Sequence, residues 1–530
     1  MQTTRISWLM LLGILLPCSH TETASAGETA GWNSFRNGGT SHSPGEYPVR
    51  WTPKAGLLWQ QELAGYGQST PVIHNGRVFV ASVIGPMKET CCVSCWDLHS
   101  GTQEWSHKSA AATESPSNYM HSRAAPTPVV DDAGVFVFFE GGDLIALNHD
   151  GKQQWRRDLA ADEGPFQNNH GLGSSPTQTS DLVILNLEHQ GPSLLLAVSK
   201  SDGRTVWKTE RPSGNSWTSP IVTTSHGQEC VTVSSAGSVT AYQASSGEVL
   251  WTLDGLEGNS VPSPAIKQDL LVIGARMPEF GDASNAAKSN LCLQLTDNDY
   301  EVKWRAETVL SDYASPVVAQ GCVYFVNKEG VLTCLDLASG RTHYRKRLQC
   351  ECWSTPLVAG EHVYFFGKRG ETHVVRAGPE FTTTAVNHLW DPDSPPLPET
   401  YTEAAGHERH GADAEGGRPR QSGGMLARLL VGDRNEDGVL TKDELPPPFQ
   451  RMMARADLNE DGQLDQEELQ AMQEEFQKRR AGAREGARDP IVYGVAAADG
   501  VIIVRTGTRL YAISGGTGRV ESAASGEAKP

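Results

Sequence analysis

Short apolar runs joined by glycine turns recur along most of the chain. Residues 70–73 are followed across a glycine turn by residues 76–80, and residues 321–326 lead through another such turn into residues 331–335. Two β-branched or aromatic runs that flank a glycine turn are typical of a β-hairpin. Residues 241–251 add strand, turn and strand. The pattern predicts four short strands in each unit of about 45 residues, the size of one propeller blade.

Each unit opens and closes on a characteristic residue. A proline preceded by Ser or Thr opens the first strand, at Pro71, Pro128, Pro176, Pro220, Pro264, Pro316 and Pro356, and these prolines are 40 to 57 residues apart. An aromatic residue ends the last strand, at Trp59, Trp105, Trp155, Trp207, Trp251, Trp304, Tyr344 and Trp390. Burying one Trp removes ~150–250 Å² from water, which suits a contact between blades that stack face to face. We therefore interpret these aromatic residues as structural.

The units predict an all-β fold, an eight-bladed β-propeller of four-stranded blades. Seven blades begin at the prolines, and the eighth is predicted in residues 491–513. Residues 57–63, around Trp59, are expected to supply its outermost strand, because a ring closed in this way has no free sheet edge. Residues 512–522 offer an alternative closing strand, since they follow the same terminal pattern with Ser522 in place of Trp.

The eleven-residue ending Ala-x-Asp-x-x-Thr-Gly-Lys-x-x-Trp is approximated by residues 95–105, 197–207, 241–251 and 334–344. It resembles the tryptophan-docking motif of the quinoprotein-like (PQQ-repeat) β-propellers. The segment Trp-Asn-Ser-Phe-Arg-Asn-Gly that starts at residue 32 is similar to the opening of many such proteins. The resemblance extends over most of the chain that follows residue 26, although the fifth and seventh units are degenerate.

About 100 residues separate the seventh unit from the eighth. The predicted boundaries are a signal peptide at 1–26, blades 1–7 at 27–390, a Pro/Gly-rich linker at 391–424, an EF-hand pair at 425–480, a linker at 481–489, and the last blade with a C-terminal tail at 490–530. The EF-hand pair is predicted from two segments, 433–444 and 457–468, which both fit D-x-[DN]-x-[DN]-G-x5-E. Two such matches 24 residues apart are too specific to arise by chance.

Calcium takes six to eight oxygen ligands, and this spacing supplies them from loop positions 1, 3, 5, 7, 9 and 12. The predicted ligands are Asp433, Asn435, Asp437, the carbonyl of Val439, Thr441 and Glu444 in the first loop, and Asp457, Asn459, Asp461, the carbonyl of Gln463, Asp465 and Glu468 in the second. Leu440 and Leu464 occupy the apolar position eight, where the paired loops of EF-hand proteins touch. The sequence therefore predicts two bound calcium ions. The prolines at 446–448 favour a structural site over an opening switch.

The first 26 residues have the pattern of a secretory signal. Arg5 precedes apolar residues 8–16, a run too short to span a bilayer, and Ala-Ser-Ala at 24–26 fits a cleavage site. An alternative is a lipoprotein signal in which Cys18 is the lipidated residue. We predict a periplasmic or secreted protein with no transmembrane segment in the mature chain. The nine remaining Cys are an odd number, so at least one is expected to be free or paired between chains.

Charge and composition narrow the possible partners. The net charge is −18, which argues against a nucleic-acid partner because phosphate binding needs clustered Lys and Arg. Apolar residues make up 38% of the chain and charged residues 20%, as in globular proteins. An acidic surface also suits cation binding.

The family resemblance leaves two functions open. One is a binding or assembly scaffold, similar to the propeller lipoprotein of the outer-membrane β-barrel assembly machinery, whose partner would be a protein or an extracellular polymer. The alternative is a PQQ-dependent alcohol or sugar dehydrogenase, which implies a quinone over the central channel. The vicinal pair Cys91-Cys92 resembles a feature of those enzymes, but residues 91–98 have the pattern of an inner strand of a blade. We assign no catalytic residue and favour the scaffold.

The loops that precede the prolines are expected to converge on one end of the channel. They carry aromatic and polar residues that suit a sugar, a peptide or a quinone, namely Tyr66, His121, Arg123, Asn169, His170, Trp217, Tyr313 and Trp353. The alternative interpretation is that these side chains only fill the channel mouth.

Overall fold

The computed structural model describes residues 31–117, 121–168, 170–225, 228–276, 283–309, 311–397, 399, 439–441, 462–465, 468–469 and 490–515. The chain folds into eight four-stranded antiparallel blades arranged as a β-propeller, so the predicted fold is confirmed. The first strands of neighbouring blades contact one another around the central axis, and those of the last and first blades meet. The blades therefore form a closed ring.

The N-terminal segment contributes α1 (Arg36–Gly39), β1 (His42–Ser43) and β2 (Leu57–Glu62). Blade 1 is β3 (Val72–His74), β4 (Arg77–Ile84), β5 (Thr90–Asp97) and β6 (Gln103–Ala110), and blade 2 is β7 (Val129–Asp131), β8 (Gly134–Phe138), β9 (Asp143–Leu147) and β10 (Gln153–Asp158), followed by α2 (Leu159–Glu163). Blade 3 is β11 (Thr177–Gln178), β12 (Leu182–Leu187), β13 (Ser193–Ser199) and β14 (Thr205–Arg211), and blade 4 is β15 (Ile221–Ser225), β16 (Gln228–Ser235), β17 (Ser238–Gln243) and β18 (Val249–Leu253).

Blade 5 is β19 (Ala265–Lys267), β20 (Leu270–Ile273), β21 (Leu291–Leu295) and β22 (Tyr300–Arg305), with α3 (Ala283–Lys288) before its third strand. Blade 6 is β23 (Val317–Ala319), β24 (Cys322–Val326), β25 (Val331–Asp336) and β26 (Thr342–Arg347), and blade 7 is β27 (Leu357–Ala359), β28 (His362–Phe366), β29 (Glu371–Arg376) and β30 (Thr383–His388). After the short strands β31 (Leu440–Thr441) and β32 (Gln463–Leu464), blade 8 is β33 (Gly494–Ala498), β34 (Val501–Arg505) and β35 (Arg509–Ser514).

Strand β2 closes the ring from the N-terminal side. It pairs antiparallel with β35, with Leu57 opposite Ile513 and Glu62 opposite Arg509. Trp59 on this strand donates from its indole Nε1 to the carbonyl of Leu98 in blade 1, at 2.9 Å. The N-terminal strand thus completes blade 8 and also locks that blade to its neighbour.

Tryptophan docking holds consecutive blades together. The indole Nε1 of Trp207 donates to Ala244 O in the next blade at 2.9 Å, and Trp105, Trp155 and Trp304 make equivalent bonds. The ring lies on a glycine of that blade, since a Cβ on Gly247 would come within 2.3 Å of the Trp207 ring. Gly247 also has a φ of +72°, which favours glycine. The glycine of the repeated ending is therefore required by both the turn and the incoming indole.

The nine Cys that follow Cys18 all lie in described residues. Each is buried and unpaired. Strand β5, which carries the vicinal pair Cys91-Cys92, is the third strand from the axis and lies between β4 and β6. These two thiols are therefore inside a sheet and not in a loop of the channel.

Candidate binding funnel

A ring of hydrogen bonds positions the loops at one end of the channel. The Ser or Thr before each of the first six prolines donates its amide to the hydroxyl of the matching residue in the next blade, at 2.9–3.1 Å, and the series runs from Thr70 through Thr127, Ser175, Ser219, Ser263 and Ser315 to Thr355, which accepts the last bond. Proline fits the next position because its fixed φ suits the entry into the strand and it has no N–H. The Ser/Thr-Pro pattern therefore fixes where each loop leaves the axis.

The N-terminal residues 32–43, which we call the plug, cross the inside of this ring. Trp32 exchanges backbone hydrogen bonds with Ile73 of blade 1, and Asn33 O accepts from Val130 N of blade 2. Further along, β1 pairs parallel with β27 of blade 7, and Ser43 Oγ donates to Ala497 O of blade 8 at 2.8 Å. The plug thus lies inside the ring, and these contacts join it to the consecutive blades 7, 8, 1 and 2.

Arg36 connects the plug to two blades of the ring. Its guanidinium donates to Ser263 O (3.1 Å), Pro264 O (2.7 Å), Pro316 O (2.9 Å) and Gly39 O (3.2 Å). Burial lowers the pKa of Arg36 to about 9, so the side chain keeps its charge at neutral pH. A buried cation needs such a set of partners, because desolvation without them costs several kcal/mol. One side chain therefore ties blades 5 and 6 to the N-terminal segment.

Above the plug lies a cavity of about 90 Å³, which we call the funnel. Trp32, Phe35 and Arg36 line its plug side, and aromatic residues of three loops form much of its wall, namely Tyr313, Trp353 and Tyr493. The rings of Tyr313 and Trp353 are 5.3 Å apart, and Lys368 Nζ lies 3.9 Å from the Trp353 ring centroid. The funnel thus offers aromatic surface next to two cations, Arg36 in its lining and Lys368 over Trp353.

The described mouth residues fall into three groups. Only Tyr313 and Trp353 line the funnel itself, and Tyr313 is 43% exposed. His121, His170 and Trp217 form a separate aromatic row, with ring centroids 6.5 and 5.8 Å apart along it. Asn169 lies outside the described residues.

Tyr66 and Arg123 form a buried layer beside the funnel. The Arg123 guanidinium lies 3.6 Å from the centroid of the Tyr66 ring. The Tyr66 hydroxyl is 2.8 Å from that of Tyr493, which lines the funnel. Sequence reasoning missed Tyr493, Lys368 and the plug. The sequence feature that could have indicated the plug is the Arg of the Trp-Asn-Ser-Phe-Arg-Asn-Gly segment, a charged residue beside Phe that precedes the first blade.

A second buried arginine supports the blade 8 side of the mouth. Arg505 donates to Ser69 O at 3.2 Å and to Ala81 O at 2.6 Å, so it joins blade 8 to blade 1. Burial lowers the pKa of Arg505 to about 9, which again leaves it protonated at neutral pH. The two sides of the ring closure are therefore joined by hydrogen bonds from a buried cation as well as by the paired strands β2 and β35.

The insertion is rooted at this same end of the propeller. Near its start, Glu399 is buried, accepts a hydrogen bond from Thr506 Oγ1 and lies 3.4 Å from Arg509. After it, Val492 N donates to Lys368 O at 3.0 Å, next to the Trp353 side of the funnel. Both connections of the predicted calcium module thus reach the mouth of the channel.

Five of the twelve predicted calcium ligands are described. Strands β31 and β32 pair antiparallel with Leu440 directly opposite Leu464, and both leucines are buried. Gly462, at loop position six, has a φ of +80°. The Asp465 amide donates to Glu468 Oε2 at 3.2 Å and the Glu468 amide to Asp465 Oδ1 at 2.9 Å, a reciprocal cap at a helix start.

The remaining seven predicted ligands lie outside the described residues: Asp433, Asn435, Asp437, Glu444, Asp457, Asn459 and Asp461. The described Val439, Thr441 and Gln463 flank the two paired leucines. The calcium sites therefore stay a prediction. In the described part of the chain, no helix is both long and apolar enough to cross a membrane.

Comparison with known proteins gives one family. A family model described as outer membrane protein assembly factor BamB matches residues 49–184, 191–315 and 293–395. Curated proteins of that name match this chain. The one from Yersinia pestis is 26% identical over 43% of this chain and 57% of its own length. The one from Burkholderia pseudomallei is 26% identical over 42% of this chain and 54% of its own length. One from Xanthomonas campestris pv. campestris matches at 26% identity over 63% of this chain and 98% of its own length. The chain thus spans little more than half of the first two relatives.

Solved structures give more distant likenesses. The crystal structure of BamB from Moraxella catarrhalis is 13% identical, with a TM-score of 0.44, over 62% of this chain and 87% of that chain. A europium-containing methanol dehydrogenase is 11% identical, with a TM-score of 0.36, over 66% and 89%. Likenesses at this level carry no argument about function.

Proposed function

Because the chain belongs to the PQQ-repeat β-propeller family whose model is described as outer membrane protein assembly factor BamB, we propose that it is an exported scaffold that binds a protein partner at the funnel end. The observation that carries the proposal is the plugged channel. With residues 32–43 inside the ring, what remains at the mouth is a small cavity with an aromatic surface. Such a surface suits a protein chain, since Tyr, Trp and Arg are enriched where proteins bind one another.

Exposure and rigidity at the funnel favour the same kind of partner. Tyr313 is 43% exposed beside Trp353. Lys368 is buried, with its Nζ 3.9 Å from the Trp353 ring centroid and 3.3 Å from Glu351, so it holds that ring in position before any partner arrives. A rigid aromatic group binds with little loss of side-chain entropy.

The alternative function, a PQQ-dependent dehydrogenase, fits the funnel poorly. Cofactor sites are commonly clefts of ~300–1,000 Å³, whereas the funnel encloses about 90 Å³ because the plug fills the channel beneath it. A quinone of that class would require the plug, with its buried Arg36, to leave. The residues present therefore support the scaffold over the dehydrogenase.

The proposal includes two calcium ions in the inserted module. Its support is the motif in the sequence, the positive φ at Gly462 and the register of Leu440 with Leu464. Because both connections of the module reach the channel mouth, bound calcium would fix the chain close to the surface that takes the partner. The proposal that the protein is exported rests on the signal-peptide pattern at residues 1–26.

Site-specific photo-cross-linking in the native cell envelope tests the binding face. A benzophenone amino acid at position 313 of the full chain is expected to capture a protein that takes part in outer membrane protein assembly. The matched position is Val249, which is 50% exposed on strand β18 away from the funnel and is expected to capture none.

The substitution Trp353→Ala is expected to reduce the yield at position 313 about tenfold or more, as for a residue at the centre of an interface. Equal cross-linking at 313 and 249, or none at 313, would contradict the proposed face.

A further inference from the structure

Two thiols lie together in the loop between β26 and β27. Cys350 Sγ and Cys352 Sγ are 3.5 Å apart, and only Glu351 separates the two residues. Cys350 is 9% exposed and Cys352 1%, so a small reagent reaches the first more easily than the second. A disulfide needs a sulfur–sulfur distance of about 2.05 Å. Closing the remaining gap of about 1.5 Å requires only a local adjustment.

His373 completes the arrangement. The Cys352 thiol and the His373 side chain hydrogen-bond to the Cys350 sulfur and hold the pKa of Cys350 below its usual range, against the opposing effects of burial and of Glu371. The pKa of Cys352 is raised, because its proton is engaged with Cys350 and its site is buried. The two thiols are therefore unequal, with the thiolate favoured on Cys350.

We propose that Cys350 and Cys352 are a redox-active dithiol, in which Cys350 is the nucleophile and Cys352 the resolving thiol. The oxidation of this pair can be tested without reference to the proposed partner binding. The pair differs from a structural disulfide because the two sulfurs are close but unbonded.

Hydrogen peroxide serves as the oxidant in the proposed step. The Cys350 thiolate attacks one peroxide oxygen, an S–O bond forms, the O–O bond breaks and hydroxide leaves, which gives a sulfenic acid. The Cys352 sulfur then attacks Cys350 Sγ. The S–S bond forms, the S–O bond breaks, and the hydroxyl leaves as water with the proton of the Cys352 thiol. The dithiol loses two electrons to the peroxide.

The loop couples this pair to the funnel. Cys352 directly precedes Trp353, and Glu351 O accepts from Lys368 N at 2.6 Å. Glu351 and Trp353 thus hold the same lysine from two sides, through the ion pair and the contact with the ring. A shift of residues 350–352 on disulfide formation is therefore expected to change the environment of the Trp353 ring.

Most other thiols of the propeller lack these features. Burial raises the pKa of Cys95 and of Cys292 to about 12, and burial with nearby Asp143 raises that of Cys91. Cys322 is the one comparable case, since a hydrogen bond with Cys334 lowers its pKa. The test must therefore separate the 350/352 pair from the 322/334 pair.

Tryptic mass spectrometry of the wild-type protein makes that separation. Residues 348–368 form one peptide whose only thiols are Cys350 and Cys352, whereas Cys322 and Cys334 fall in different peptides because Lys328 lies between them. After mild hydrogen peroxide treatment and alkylation of the remaining thiols, this peptide is expected to lose about 2 Da and take up no alkyl group. Reduction should restore both thiols.

Single variants identify the roles. Cys352→Ser is expected to leave a dimedone-reactive sulfenic acid on Cys350, whereas Cys350→Ser should give neither product on that peptide. The control Cys292→Ser should leave disulfide formation unchanged. The proposal is overturned if the peptide 348–368 keeps two alkylatable thiols under peroxide, or if the oxidised thiols map to Cys322 and Cys334 instead.

Discussion

Replacing Arg36 with methionine is expected to lower the free energy of unfolding by about 3–5 kcal/mol. The guanidinium supplies four hydrogen bonds to backbone carbonyls, of which Ser263, Pro264 and Pro316 belong to blades 5 and 6. Methionine fills similar volume but leaves these buried acceptors without a donor, and each unsatisfied group costs about 1–3 kcal/mol. The urea midpoint of unfolding, followed by tryptophan fluorescence, measures the loss.

Arg50→Met is the matched control for this prediction. Arg50 also donates to a backbone carbonyl, Thr384 O at 2.8 Å, but from an exposed position. Its loss is expected to change stability by no more than about 0.5 kcal/mol. Equal midpoints for the Arg36 and Arg50 variants would mean that the plug does not hold the ring together.

The second large effect is expected on calcium. Glu444→Gln combined with Glu468→Gln removes the ligand that grips the ion with both oxygens in each loop. We expect calcium affinity to fall by more than about 100-fold, since the loss of even an outer-shell partner costs 10- to 100-fold. The propeller should keep its unfolding midpoint, because the blades do not depend on these side chains. Calorimetric titration of the double variant measures the first effect, and urea unfolding the second.

A control with the same change in charge lies in the same loops. Glu436 and Glu460 occupy loop position four, which supplies no ligand in the predicted geometry. Glu436→Gln with Glu460→Gln is therefore expected to bind calcium nearly as the wild type does. If both double variants lose affinity alike, the two loops attract calcium only through their net charge.

The sequence was sufficient for the fold because the propeller repeats local signals. The Ser/Thr-Pro dipeptide marks a hydrogen bond from each blade to the next, and the terminal aromatic residue marks a docked indole. Both recur in every regular unit, so the number and order of blades can be read directly. The choice of closing strand could not be read with equal certainty, because residues 57–63 and 512–522 carry the same pattern. The docking of Trp59 on blade 1 is what distinguishes them.

The funnel could be placed from the sequence only in part. The loops that reach the mouth follow from the prolines, and Tyr313 and Trp353 were identified in this way. The role of the plug was missed because Arg36 bonds to residues 227 to 280 positions away, which no local pattern encodes. For the same reason Tyr66 was expected to face the channel, whereas it lies buried against Arg123.

Titration of the wild-type mature protein, first with calcium and then with PQQ at saturating calcium, tests the central claim most directly. A calcium-bound scaffold with a plugged channel predicts heat from two calcium sites and none from PQQ. Tight, saturable PQQ binding would contradict the account, because it would show that the channel opens to a quinone and that the propeller is built for catalysis.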